Sequence, residues 1–211
     1  LRKPDKRTPA CGECTNCVQT PGYDDKQFFH YKPHITALLD LAGVDYFDHL
    51  EWFNDLDEMH RYCRTAFHKV LVDLDRLMPG FDFARRFTSI VAQNRHVLRL
   101  LCYKMPMHPG QELAKNHTDR NFGTFHVAET HQGLVLSLPD GERKGLVPND
   151  YMPEPGKVLM FTGNKAYDLT SAALRKVVHG VFVPNDFVPQ PEVEPRMSMV
   201  FFGHVFPEVL R

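Results

Sequence analysis

The sequence predicts an α+β protein, mainly β, in which N-terminal helices pack on a β-sandwich or jelly roll. Apolar residues between 59 and 78 recur in steps of three and four. After residue 95 they fall instead into short alternating runs separated by Pro, Gly, Asn and Asp. Helical period first and strand period later segregates the helices from the sheet, unlike the alternation of a parallel α/β fold. A length of 211 residues allows one full hydrophobic core and leaves room for only a small second unit.

In chain order, residues 1–26 show almost no apolar periodicity. They carry Arg2, Lys3, Lys6 and Arg7, then Cys11, Cys14 and Cys17, then Pro21-Gly22. A loose or metal-clipped segment is expected there, ahead of a domain over 27–211. Ile35–Leu41 predicts a first helix. Met59, Tyr62, Cys63, Ala66, Phe67, Val70, Leu71, Leu74, Leu77 and Met78 predict a long amphipathic one that Pro79-Gly80 stops. Phe83–Asn94 predicts a third. Strands are expected at 97–103, 123–128, 133–138, 158–162, 177–183 and 197–205, forming a core over about 95–206.

With 25 Lys+Arg against 26 Asp+Glu the net charge is -1, which gives no general attraction to nucleic acid or to an anionic membrane. No apolar run approaches the roughly 20 residues of a membrane span. A small-molecule partner is therefore expected. Five cysteines do not pair evenly, so free or metal-bound thiols in an intracellular, cytoplasmic compartment are expected rather than a disulfide framework. The chain begins at Leu1 with no signal-like stretch and reads as a processed or truncated piece.

The chemistry is concentrated in three places. In an extended His117-Thr118-Asp119, residues i and i+2 face the same way and present an imidazole beside a carboxylate. His179 lies in the β-branched run 176–183, in phase with Val177 and Val181. Two histidines and one carboxylate on one side of a metal are the facial triad of non-haem Fe(II) oxygenases, which leaves positions open for a co-substrate and O2. Arg196 and Ser198 are again i and i+2, in phase with Val200 and Phe202. A guanidinium on an inward apolar face needs an anionic partner, and its fork suits a carboxylate.

The order Val97-Leu-Arg-Leu-Leu-Cys-Tyr103, His117-Thr-Asp119, Gly133-Leu-Val-Leu136, Pro155-Gly-Lys-Val-Leu-Met-Phe-Thr-Gly163, Val178-His179-Gly180 and Arg196-Met-Ser198 resembles the catalytic core of the isopenicillin N synthase-like Fe(II)/2-oxoglutarate-dependent dioxygenases. The resemblance covers about residues 57 to 206. It implies a double-stranded β-helix (jelly roll) fold, Fe(II) on His117, Asp119 and His179, and the distal carboxylate of 2-oxoglutarate on Arg196 and Ser198. It also implies a contact from Tyr103 to the co-substrate or substrate. The reaction implied is O2-dependent oxidation of an organic substrate by hydroxylation, desaturation or cyclisation, with release of succinate and CO2. Between His179 and Arg196 the chain is longer than the family pattern, so residues 185–195 are expected to form a loop at the mouth. The family's usual N-terminal region, which frames much of the substrate pocket, is largely missing or replaced.

His126, His131 and His204 form no HxH or HExxH pattern and are expected to be surface or supporting residues. Cys11, Cys14 and Cys17 have the spacing of thiolate ligands and can hold a structural Zn2+. Their form resembles the first half of a CXXC zinc finger, without its second cysteine cluster. The alternative function is therefore a zinc-containing nucleic-acid or protein-interaction module on a non-catalytic jelly roll.

Overall fold

The computed structural model describes residues 26–103, 108–137, 143–145, 157–188 and 195–206. Nine antiparallel strands in this part of the chain form two sheets. They are β1 (Lys26–Tyr31), β2 (Val97–Tyr103), β3 (Glu112–His117), β4 (Gly123–Glu129), β5 (Leu134–Ser137), β6 (Arg143–Gly145), β7 (Leu159–Thr162), β8 (Val178–Phe182) and β9 (Arg196–Gly203). A five-stranded sheet has the order β1-β2-β9-β4-β7, and a four-stranded sheet has the order β3-β8-β5-β6. The helices are α1 (Ile35–Leu41), α2 (Leu50–Leu77), α3 (Phe83–Phe87), α4 (Ile90–Gln93) and α5 (Asn164–Leu169), with a short 3-10 turn at Phe47–His49.

The long helix starts well before its sequence pattern predicted, at Leu50 rather than Met59. Its buried residues are Phe53, Leu56, His60, Cys63, Phe67 and Leu71, a continuous three- and four-residue stripe. Asp55, Asp57 and Glu58 mask the first part of that stripe in the sequence. The stretch expected as a third helix is two short ones. Ser89 is extended between them, and its side chain accepts from the Ala92 N–H to cap the second. Asp75, near the end of α2, accepts from the N–H groups of Phe83 and Ala84 at 2.6 and 2.9 Å and so caps α3. Strand β1 was not expected, because Lys26 and His30 interrupt its apolar alternation.

The five-stranded sheet is covered on both faces, which explains the near-continuous apolar run Met199-Val-Phe-Phe202. On the outer face α2 lays Phe67 against Phe87, Phe125 and Phe201, with ring centroids 5.2, 5.0 and 5.9 Å away. Gly203 permits that approach, since a Cβ there would lie 2.5 Å from Cζ of Phe67. The inner face is clustered with the second sheet: Val97, Leu101, Tyr103, Val200 and Phe202 pack with Leu113, Ala114, Val181 and Val183. Among the described residues no helix is long and apolar enough to cross a membrane.

Two histidines lie buried between α2 and the sheet, His60 on α2 itself and His96 just before β2. His60 packs against Phe201 and Tyr31. His96 stacks on Phe87 with centroids 4.2 Å apart. Its Nε2 lies 3.3 Å from the Phe87 carbonyl, which can only accept, and its Nδ1 accepts from the His204 N–H at 3.2 Å. Both nitrogens are thus committed in a neutral ring. Burial, reinforced by the Arg64 charge, lowers the pKa of His60 to about 4 against weaker opposition from the His96 backbone and Asp57. Burial, with His204, His60 and Arg64 nearby, lowers that of His96 to about 3 against a weaker opposing effect of the Phe87 carbonyl. Since the unfolded chain binds these protons near pH 6.5, stability is lost as pH falls from about 6.5 towards the folded values. Urea titrations in chelator should show these two groups contributing on the order of 3 kcal/mol of the stability lost between pH 7 and pH 5. His60→Leu should remove roughly half of their joint contribution.

Candidate metal centre

Strands β3 and β8 pair so that His117 stands directly opposite His179. Their ring centroids are 4.4 Å apart. The Nδ1 of His117 lies 2.7 Å from the Lys115 carbonyl, and the Nδ1 of His179 lies 3.3 Å from the Val177 carbonyl. A carbonyl can only accept, so each Nδ1 carries a proton and each Nε2 is left to face the carboxylate. Those Nε2 atoms lie 3.7 and 3.8 Å from Oδ1 and Oδ2 of Asp119. One ligand atom from each of the three residues falls within 4.8 Å of the others. Burial pushes the pKa of His179 down to about 4, against the opposing pull of Asp119, so the ring is a neutral donor at pH 7.

Asp119 is not on a strand: β3 ends at His117, and the carboxylate reaches the histidines from the loop that follows. That loop is pinned from two sides. Thr124, buried on β4, donates its hydroxyl to Oδ2 of Asp119 at 2.5 Å. At the start of α5 the N–H groups of Asn164 and Lys165 donate to the carbonyls of Asp119 and Asn121 at 2.7 and 3.1 Å, and the Gly163 N–H donates to the Phe122 carbonyl at 2.9 Å. Thr118 adds a hydroxyl bond to the Asn164 side chain. A Cβ on Gly163 would collide with the carbonyls of Asn121 and Asp119, so a larger residue there would push the metal loop away.

The three ligands open onto a cleft between the two sheets, with about 500 Å³ of free space, part of it open to solvent. Strand register arranges its wall on the five-stranded sheet in rows. Lys26, Tyr103 and Arg196 are cross-strand neighbours, then Phe28, Leu101, Ser198 and Glu129, then His30, Arg99, Val200 and His126. Tyr103 and Ser198 line the cleft. Arg196 is 1% exposed and is not itself among the residues that line the cleft, its guanidinium 5.2 Å from the Tyr103 ring centroid. Its Nε donates to the carbonyls of His131 and Gln132 at 3.1 and 3.3 Å, and its Nη2 pairs with the carboxylate of Glu129. Nη1 is buried and has no hydrogen-bond partner among the described residues. The anionic partner that an inward arginine needs is thus partly supplied from within the protein.

His126 lines the cleft, 3.2 Å from the same Glu129 oxygen, while His131 and His204 are half-buried. None of the three joins the metal ligands. The sequence pattern did not single out Thr124, Glu129, Arg99, Lys26 or Gly163. Arg99 and Glu129 could have been noticed as charges within apolar strands, whereas Thr124 and Gly163 leave no such signal. Cys11, Cys14 and Cys17 lie outside the described residues; Cys63 is buried and Cys102 half-buried, both as free thiols.

No family model matches the sequence and no curated protein is similar to it. Solved structures do share its fold. A full-length Neurospora crassa protein in complex with alpha-KG and thymine has a TM-score of 0.67 at 20% identity, over 87% of this chain and 55% of that one. AtDAO1, dioxygenase for auxin oxidation 1 from Arabidopsis thaliana, as a 2-oxoglutarate binary complex, has a TM-score of 0.61 at 16% identity, over 89% and 66%. A candidate 2OG-Fe(II) oxygenase family protein from Caulobacter crescentus has a TM-score of 0.58 at 26% identity, over 89% and 60%. The chain therefore has the fold of the 2OG-Fe(II) oxygenases, and it spans less than two thirds of the length of these structures.

Two substitutions test the centre. Asp119→Ala should abolish Mn(II) or Fe(II) binding measured by calorimetry. Thr124→Val, which removes one bond to the ligand carboxylate, should weaken it by about 10- to 100-fold without loss of fold.

Proposed function

We propose that residues 27–211 form an Fe(II)- and 2-oxoglutarate-dependent dioxygenase domain on a double-stranded β-helix. It oxidises an organic small molecule by hydroxylation, desaturation or cyclisation, with succinate and CO2 as co-products. The observation that carries this reading is the His117, Asp119 and His179 cluster, two imidazoles and one carboxylate opening onto a cleft. That donor set fits Fe(II) with positions left open, and it is unlike the closed, thiolate-rich shell of a structural zinc. The Nη1 of Arg196, buried and without a partner among the described residues, fits the second group, the distal carboxylate of 2-oxoglutarate. The Neurospora crassa and AtDAO1 structures, with alpha-KG and 2-oxoglutarate, support the same assignment on this fold.

When bound, iron and 2-oxoglutarate together supply the oxidising power drawn from O2. The chain's own residues orient and exclude. Lys115 and Val177 carbonyls hold the two imidazoles with Nε2 towards the metal position. Thr124 fixes the carboxylate. Arg196, held in one orientation by Glu129 and the His131 and Gln132 carbonyls, keeps one donor for the co-substrate, with Ser198 and Tyr103 beside it. Phe161, Leu134, Val181 and Phe202 form apolar walls that limit water at the reacting end.

Purified protein given Fe(II), 2-oxoglutarate and O2 should release succinate. Absence of both uncoupled and substrate-driven turnover, with iron bound, would sink the reading. Arg196→Ala should raise the KM for 2-oxoglutarate by about 10- to 100-fold, as expected for one lost charge-assisted bond, and leave Fe(II) affinity nearly unchanged. Because that change strands the Glu129 carboxylate, the double variant Glu129→Gln/Arg196→Met is the cleaner comparison.

A further inference from the structure

Glu129 reaches the co-substrate side of the site because strand β4 is irregular. Thr124 and His126 alternate onto the inner face, and the same period would turn Ala128 inward and Glu129 out. The pairing with β9 shifts between His126 and Ala128, so that Ala128 stands opposite Met199 and Glu129 opposite Ser198. Met199 packs with the outer core, as Val127 does, whereas Ser198 lines the cleft. One extra residue in β4 thus re-aims a carboxylate, the usual effect of a bulge.

The side chain so placed is fully buried, and its Oε2 meets both the Nη2 of Arg196 and, at 3.2 Å, the Nε2 of His126. The loop after β4 closes another side of the guanidinium. There the His131 and Gln132 carbonyls hold Nε, and a Cβ on Gly133 would lie 3.0 Å from that atom. Of the three guanidinium nitrogens, Nη1 alone is without a partner among the described residues. A carboxylate brought to Nη1 therefore shares one guanidinium with the carboxylate on Nη2, in a desolvated site. Like charges held so close oppose each other strongly.

We infer that Glu129 is an internal competitor for 2-oxoglutarate: its charge partly satisfies Arg196 and so sets both the affinity for the co-substrate's distal carboxylate and the margin over 2-oxo acids that lack one. This rests on the dioxygenase reading and adds to it a residue that tunes co-substrate selection. A residue that only oriented Arg196 would act in the opposite direction when neutralised. Glutamine separates the two roles, since its amide oxygen still accepts from Nη2 and keeps the fork in place while the charge is gone. Any other cation the carboxylate meets is freed by the same change, so the sign of the effect does not depend on Arg196 being its sole partner.

The test uses the full chain loaded with Mn(II) and titrated calorimetrically with two 2-oxo acids that share one chelating end. They are 2-oxoglutarate and 2-oxopentanoate, in which a methyl group replaces the distal carboxylate. Glu129→Gln should bind 2-oxoglutarate at least about tenfold tighter than the wild type does, and 2-oxopentanoate within about twofold of it. No tightening, or a loss of 2-oxoglutarate affinity, overturns the inference and leaves Glu129 a support for Arg196. An equal gain for both acids overturns it too, because such a gain does not come from the distal carboxylate. If Glu129→Gln fails to fold, the wild type decides. An arginine partly satisfied from within gives 2-oxoglutarate less than about a tenfold advantage over 2-oxopentanoate, below the range of a full charge-assisted bond, and a larger advantage overturns the competitor. Arg196→Ala loses more than that margin, because it also leaves beside the co-substrate a charge that Arg196 no longer offsets. The two readings fail differently. Binding of neither acid to either protein, with Mn(II) in place, removes the dioxygenase reading and the inference with it; binding of both acids with no gain in Glu129→Gln removes the inference alone.

Discussion

Everything at the metal centre depends on the register between β3 and β8. With His117 opposite His179, the two imidazoles share one side of the four-stranded sheet and their Nε2 atoms converge on Asp119. A slip of one residue would turn one histidine to the other face and disperse the donors. Two neighbours oppose such a slip. Leu136 on β5 pairs with His179 from the other edge, and Gly180 lets Asn116 and Ala114 approach where a Cβ would clash. The irregular pairing of β3 between Ala114 and His117 is the local adjustment that ends the strand just before the Asp119 loop.

The second organising feature is a sheet buried on both faces yet polar on one. Phe125, Phe201 and Leu98 face α2 and carry the hydrophobic core, while Arg99, Ser198, His126 and Thr124 face the cleft. Burying so many polar groups is tolerable only when each is held, and the contacts are specific: Thr124 on Asp119, Arg99 on His30, and Arg196 and His126 on one Glu129 carboxylate. The outer face therefore carries the larger apolar cluster, while the inner face holds the buried polar groups. The neutral His60 and His96 between α2 and the sheet belong to the outer face, so acid weakens the support of the sheet independently of the site.

Legibility followed the range of the interaction. Ile35–Leu41 and Val97–Tyr103 were read to the residue, because period and punctuation are local. The early part of α2 was hidden by acidic residues on its solvent face, and β1 by Lys26 and His30, which are polar yet face inward. The residues of the metal cluster were named from their types and spacing alone, and the structure brings them together. The partners that hold them were not: Thr124 is an unremarkable threonine in sequence, and Gly163 owes its meaning to carbonyls more than forty positions earlier.

The sequence by itself determined which chemistry is on offer, two imidazoles and a carboxylate, and that Arg196 and Ser198, two residues apart, share a strand face. Only the tertiary structure decided which faces meet. It placed Glu129 on Arg196, whose Nη1 has no partner among the described residues, and turned Arg99 into the cleft beside the metal ligands. The physical reason is that periodicity is written within a few residues, whereas pairing across 60 or more positions is set by the packing of the whole core.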